Sequence, residues 1–514
     1  MNELHNLTLV DWSRAQFALT AMYHWIFAPL VIGLSWLLAF FETLYVRTGS
    51  EEWKRITKFW LLLFGINFAM GVATGIIILF QFGTNWSNFS WAAGDILGVL
   101  LAAAGICGFI PVAASFVVMF FGWERVSKQT HLFATWMVAL GSNLAALWIL
   151  VANAWMQHPV GMAFNPEKAR FEMQNFFEVL LSPVAVAKFT HATSSSFQVA
   201  ALFVLAVSSW YLLKGRHQDV ALKSIMVAAV FGLLSSVFAG ITGSWAAHAN
   251  AGNQPMKLAA FEGLYDGKEG AGLVLAGVLN HEKHPGDDSS PFVYKVEVPG
   301  LLSLLANRKP GSFVPGINDL VYGNSKHNIT GMAKKIEKGK IALELLSQYK
   351  TAKKGANEKR AAMALANFKN YEEYLGYGYL QEPEDAVPPV ALTFYSFHIM
   401  VTLGILFPLI FLLYLYYTYK GAVFRTKWLL RLGVLSVFPG YIASQAGWVV
   451  AEVGRQPWII QNILPVSVAR SNLTTGTVQT SFFLFLLLVT VILFVAINIM
   501  LKQIKTGPAA AREE

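Results

Sequence analysis

The stretch WLLRLGVLSVFPGYIASQAGWVVAEVGRQPW, residues 428–458, decides the fold. Residues 428–451 form an apolar run long enough to cross the hydrocarbon of a bilayer, which takes about 20 residues as a helix. The run gives out at a carboxylate, an arginine and two tryptophans. Trp448, Glu452 and Arg455 stand at i, i+4 and i+7, one stripe of a helix. Ionisable groups at the edge of hydrocarbon are costly, so they pair, bind something, or lie just outside. The remainder of the chain has to separate these cases.

Composition places the whole chain in the same class. Its 514 residues are 55% hydrophobic and 13% charged, with a mean hydropathy of +0.48, as expected of a polytopic membrane protein and not of a soluble domain. Nine segments can cross a bilayer: 17–41, 58–80, 93–120, 130–156, 185–212, 221–245, 390–417, 428–451 and 478–501. The predicted fold is therefore all-α, with six spans in 1–245, a long polar region over 246–389, and three spans with a tail in 390–514. The polar region is too long for a plain connection. Helical periodicity in MAKKIEKGKIALELL (332–346) predicts that it is folded. No internal repeat is visible, which argues against a transporter of inverted halves.

The net charge of +9 is concentrated beside the spans and in the polar region, so no nucleic-acid partner is inferred. The lone Cys107 excludes an intrachain disulfide and a multi-cysteine metal site. The opening MNELHNLTLVDWSR lacks the basic start and short apolar core of a cleaved signal peptide. Sixteen Lys and Arg, from Arg47 to Arg512, fall on the side of loops 1–2, 3–4, 5–6, 7–8 and the C-terminal tail, against six in the N-terminus and short loops opposite. The positive-inside rule then puts the N-terminus and the long loop outside and the C-terminus in the cytoplasm.

Three histidines lie well within spans, His24, His191 and His398, and Met400 follows the last by two residues. His and Met are the usual ligands of six-coordinate haem iron, and a lone His suits a five-coordinate one. His24, His191, Met400 and Glu452 all fall in the half of the membrane nearer the long loop. Taken singly, each has a plainer reading. An intramembrane His often bonds helix to helix, Met is common packing, and Glu452 with Arg455 makes an interfacial ion pair among tryptophan anchors. His131 and His248, at span edges, are expected at the interface.

The segments RAQFALTAMYHWIFAPL (14–30), KFWLLLFGINFAMGVATG (58–75), FQFGTNW (80–86), GSNLAALWILVANAWMQHPVG (141–161), QPMKLAAFEG (254–263) and GWVVAEVGRQPW (447–458) resemble subunit I of the cytochrome bd family of quinol oxidases along nearly the whole chain. The resemblance implies a bacterial cytoplasmic (inner) membrane enzyme that oxidises quinol outside and reduces O2 to water. Its implied cofactors are haem b558, haem b595 and haem d, and its partners a second membrane subunit and a small accessory subunit. His191 and Met400 match the axial ligands of haem b558. His24 and Glu452 match the residues serving the two high-spin haems, in an order left open. Trp448 and Arg455 match residues between and against the haems. Lys257 and Glu262 match quinol-site residues at the start of the long loop, which in this family is the Q-loop.

The same resemblance exposes departures. The two glutamates usual in the third span are Ala104 and Val112 here, and the acid usual before FQFGTNW is Leu79. The family's FRxM is FHIM, so His398, grouped with the haem-binding residues, replaces an arginine. The acidic GDxSxY after the sixth span is TGSWAAHA. Ligand positions survive while intramembrane carboxylates, the usual proton relays, do not. Three readings stay open: a quinol:O2 oxidoreductase; a divergent haem-binding form with intact electron input and impaired or different terminal chemistry; and a haem-free membrane protein keeping only the fold.

Overall fold

The structure, a computed structural model, describes residues 8–509. The first seven residues, half of the opening read for a signal peptide, and Arg512 of the charge count lie outside them. Among the described residues nine helical segments are long and apolar enough to cross a membrane, at the places the sequence predicts. They extend beyond the apolar runs because polar turns continue each helix into the headgroups.

The first six spans are α1 (Leu9–Thr48), α2 (Glu51–Thr84), α3 with α4 (Ser87–Ala103 and Ile110–Phe121), α5 (Lys128–Gln157), α7 (Pro183–Leu213) and α8 (Gln218–Asn253). The short α6 (Phe176–Leu180) lies between α5 and α7. Thr8 and Asp11 close a capping box at the start of α1, and Gly49 ends it with φ of 68°. Between α3 and α4 the helix widens into a π segment, Ala104–Phe109, in which the Ile110 N–H reaches back to Gly105 O. Pro111 follows directly and has no N–H to donate, so the regular ladder is already interrupted there.

After α8 come α9 (Pro255–Glu262), α10 (Leu301–Asn307), α11 (Ile317–Tyr322), α12 (Met332–Lys354) and α13 (Glu358–Lys369). The predicted helix at 332–346 is thus the first two thirds of α12. Span seven contains α14 (Val390–Tyr419). Span eight is split at Ser436 into α15 (Lys427–Leu435) and α16 (Val437–Val453). Pro439 cannot donate to Leu435 O, and the Ser436 hydroxyl bonds Gly433 O at 2.7 Å instead. A short α17 (Val466–Ala469) precedes the last span, α18 (Thr475–Thr506).

The fold is all-α as expected, and the loops between the helices add four small antiparallel two-stranded pairings. These are β1–β2 (Met162–Asn165, Arg170–Met173), β3–β6 (Lys268–Glu269, Phe313–Val314), β4–β5 (Leu273–Leu279, Phe292–Val298) and β7–β8 (Trp458–Ile460, Leu464–Pro465). Each is a short local pairing that gives otherwise open loop backbone its hydrogen bonds. The main core, which includes Leu34, Phe41, Trp60, Phe64, Leu205, Tyr211, Phe411 and Tyr414, packs the basic ends of the spans. Polar groups instead gather at the end facing the long loop.

Candidate functional site

α16 ends by aiming Glu452 between α5 and α7. Asn153 and Gln157, one turn apart on α5, donate to Glu452 Oε1 at 3.0 and 3.2 Å. Lys188 of α7 lies 3.8 Å from the same oxygen, and Arg455 donates to Oε2. The Gln157 side-chain oxygen in turn accepts from Lys257 of α9, which also donates to Gln254 at 2.8 Å. Three cations and one carboxylate, cross-linked by amides, are therefore held where span ends meet loop. Burial and the neighbouring Lys188 push the Lys257 amine well below its ordinary value, against the opposing pull of Glu452.

Beside this lattice, Trp448 packs edge-on to Trp25 at 4.9 Å, and the Lys188 amine sits 5.0 Å over its ring. The Trp25 indole donates to Ser444 at 2.7 Å, fixing α1 against α16. His24, next to Trp25, has Nδ1 3.0 Å from the Thr74 hydroxyl of α2. His191 has Nδ1 3.2 Å from Ala239 O and 3.3 Å from the Thr242 hydroxyl, both on α8. Neither histidine's Nε2 makes a hydrogen bond among the described residues. Glycines face both rings: a Cβ on Gly75 would come 3.3 Å from His24 Cε1, and one on Gly243 would come 3.2 Å from His191 Cε1. Met400 Sδ lies 3.0 Å from the Cβ position of Gly447, which brings α14 close to α16.

These residues fit haem. A histidine whose Nδ1 is fixed by a hydrogen bond offers Nε2 to iron in a set tautomer and orientation. The cationic excess of Lys188, Lys257 and Arg455 over Glu452 suits anionic propionates. No cluster of three or more His, Cys, Asp or Glu that could hold a metal ion occurs among the described residues.

Glu262, at the end of α9, is buried with Oε2 unpartnered. Burial pushes its carboxyl up to about 8, partly opposed by the Val274 N–H. Phe261 stacks on Phe397 at 4.3 Å, and Phe292 meets Phe394 edge-on at 5.6 Å, so aromatic rings wall the approach to Glu262. His398 is placed differently from a haem ligand. Its Nε2 lies 2.9 Å from Val274 O and its Nδ1 2.9 Å from Phe394 O, which leaves no ring nitrogen for iron.

His131, at the edge of its span, is buried against the neighbouring helix: it is 3% exposed, with Nδ1 2.5 Å from Glu42, itself 1% exposed, and Thr135 donates to the other Glu42 oxygen. Glu42, an acid directly after the apolar LLAFF, stands at the edge of the first span, whereas Asn153 and Gln157 were legible as an i, i+4 amide pair in an apolar helix. Leu79, Ala104 and Val112 form no relay. Leu79 is about half exposed, Ala104 opens the π segment, and Val112 is buried with Cγ2 2.7 Å from the Cβ position of Gly141.

Comparison with known proteins identifies the family. The family described as cytochrome bd terminal oxidase subunit I matches residues 12–508. Cytochrome bd-II ubiquinol oxidase subunit 1 of Escherichia coli (strain K12) is 38% identical, with 98% of each chain covered. Cytochrome bd ubiquinol oxidase subunit 1 of Bacillus subtilis (strain 168) is 30% identical, with 96% of this chain and 93% of the relative covered. The solved structure of bd oxidase from Geobacillus thermodenitrificans has the same fold, with a TM-score of 0.78 and 24% identity over 97% of this chain and 99% of that one. The chain belongs to the cytochrome bd terminal oxidase subunit I family, and is an oxidoreductase subunit that spans the membrane many times.

Proposed function

We propose that this chain is the haem-bearing subunit of a quinol:O2 oxidoreductase of the bacterial inner membrane, working with a second membrane subunit and a small accessory subunit. It takes electrons from quinol at the outer face, beside the long loop. The observation that carries the reading is the pair of intramembrane histidines, His24 and His191, each with Nδ1 tied to a neighbouring helix and Nε2 free. Haem at these positions supplies one-electron transfer and the iron at which oxygen is reduced.

The family resemblance and the surroundings of the residues support the following roles. His191 and Met400 hold haem b558, while His24 and Glu452 serve the high-spin pair, b595 and d. Arg455 and Lys188 fix the Glu452 carboxylate in place, and Trp448 fills the space between α1 and α16. Glu262 receives a quinol proton: its raised value, about 8, is matched to a proton acceptor working near neutral pH. Lys257, its amine held between two amide oxygens, positions the quinol oxygen. His398 acts on the site through the loop backbone, by holding Val274, whose N–H reaches Glu262.

A second reading, intact electron input with altered terminal chemistry, is favoured by Val112, which fills the notch at Gly141 where the family carries an acid. A dithionite-reduced minus air-oxidised difference spectrum of the purified complex, followed by quinol-driven oxygen uptake, tests both. Signals of b-type haem and a red-shifted chlorin with oxygen uptake support the first. Haem b558 alone supports the second, and absence of any haem would refute both.

A further inference from the structure

The β4–β5 hairpin of the long loop presents an apolar face that none of the described residues covers. Its register pairs Ala276 with Val296 and Val278 with Tyr294, and Val298 follows at the same alternation on β5, so these side chains share one face. Val278, Tyr294, Val296 and Val298 are all exposed, and no charge interrupts them. The charged residues of β5, Lys295 and Glu297, alternate onto the opposite face, where they pair with each other at 2.5 Å. A loop exposed only to water has no reason for such a division.

The position of the hairpin identifies what covers it. The Tyr395 hydroxyl accepts from Leu279 N–H at 3.1 Å, and His398 Nε2 meets Val274 O at 2.9 Å, so β4 lies along the first turns of α14. Tyr395 and His398 are five and eight residues beyond Val390, roughly 8 and 12 Å along the helix axis. The hairpin is therefore fastened at the depth of the membrane's outer boundary. The exposed stripe Leu392, Tyr395 and Ile399 of the same helix continues its apolar face. The free edge of β5 sets a limit on depth, because unpaired strand N–H and C=O groups are not tolerated in hydrocarbon.

We propose that this face rests on the lipid of the leaflet beside the long loop, at the boundary between headgroups and acyl chains, as an interfacial anchor. Tyr294 sits there with its ring in the apolar layer and its hydroxyl at the headgroups. Lys295 and Glu297 face water.

The test uses the complete complex in phospholipid vesicles, with Cys107→Ala as background and nitroxide labels on Val278→Cys, Val296→Cys and Lys295→Cys in separate preparations. Power saturation by oxygen and by a water-soluble nickel chelate reads the surroundings of each label. The expected result is an oxygen-to-chelate accessibility ratio several-fold higher at 278 and 296 than at 295. Ready access of the chelate to 278 and 296 would mean a water-facing hairpin, and protection of both from both relaxants would mean a protein cover. Either result overturns the proposal.

Discussion

Two regions of the same helix bundle handle charge in different ways. Toward the long loop, Glu452, Lys188, Lys257 and Arg455 are pressed together and cross-linked by Asn153 and Gln157. Along α2 and the α3–α4 span this chain has Leu79, Ala104 and Val112, and helix contacts are made by small residues. A Cβ on Gly108 would come 2.6 Å from Ala145 Cα, so α5 touches the π segment backbone to backbone. The first region gathers charge at the expense of desolvating it. The second is built for close packing, and at Val112, which lies against Gly141, a carboxylate would be crowded.

The sharpest way to break this contrast is to disable the loop-side region one group at a time. His191→Ala should abolish the low-spin b-type signal in the reduced-minus-oxidised spectrum and quinol oxidation with it. Retention of that signal would remove His191 from the ligand set. Glu262→Gln should lower quinol oxidation by about 10²–10⁴-fold, the usual worth of a positioned proton acceptor. The sign of its pH dependence follows from the raised carboxyl. Glu262 is protonated below about 8 and accepts a quinol proton only when ionised, so the rate should climb as pH rises toward 8. In the Gln variant that limb should be flat, and a pH–rate profile of each checks it.

Smaller effects are expected from structural partners. Arg455→Met leaves Glu452 without its closest cation and should destabilise the complex by about 3–5 kcal/mol, read as a lowered melting temperature, with the high-spin haem signals lost before the low-spin one. Gly108→Ala should cost about 1–3 kcal/mol by overpacking against Ala145 while the haem spectrum is unchanged. A change in the spectrum would mean that the second region also shapes a ligand site. At the far end of the scale, Lys353→Ala removes an exposed pair with Glu358 in the long loop and should leave the melting temperature unchanged.

Much of this was legible in the sequence, for different reasons in different places. The nine spans follow from apolar run length alone, since hydrocarbon accepts little else. His24, His191, Met400 and Glu452 stand out because each interrupts an apolar segment. The β4–β5 hairpin was not legible: LVLAGVL has the composition of a buried helix turn as much as of a strand, and its partner lies beyond a polar turn. The Glu42–His131 pair was missed because the two residues are far apart in sequence and each sits at a span edge, where an interfacial position is the plainer expectation. His398 was grouped with the haem-binding residues, though not with the iron ligands, by its place in FHIM. Only the fold reveals that carbonyl oxygens of the loop and of its own helix take both its nitrogens.

The charge lattice at the end of α16 also bears on how the protein matures. Lys188, Lys257 and Arg455 outnumber Glu452, and low dielectric makes uncompensated charge expensive. A newly inserted chain that has not received its prosthetic groups carries that penalty in full, and the arrival of anionic porphyrin side chains relieves it. Any group that binds only the folded chain adds its binding free energy to stability. With haem held there as proposed, folding and haem binding would be coupled at this end of the bundle. A cell short of haem would accumulate chains whose spans are inserted but whose loop-side ends stay open to proteolysis, so haem supply itself would set the amount of oxidase.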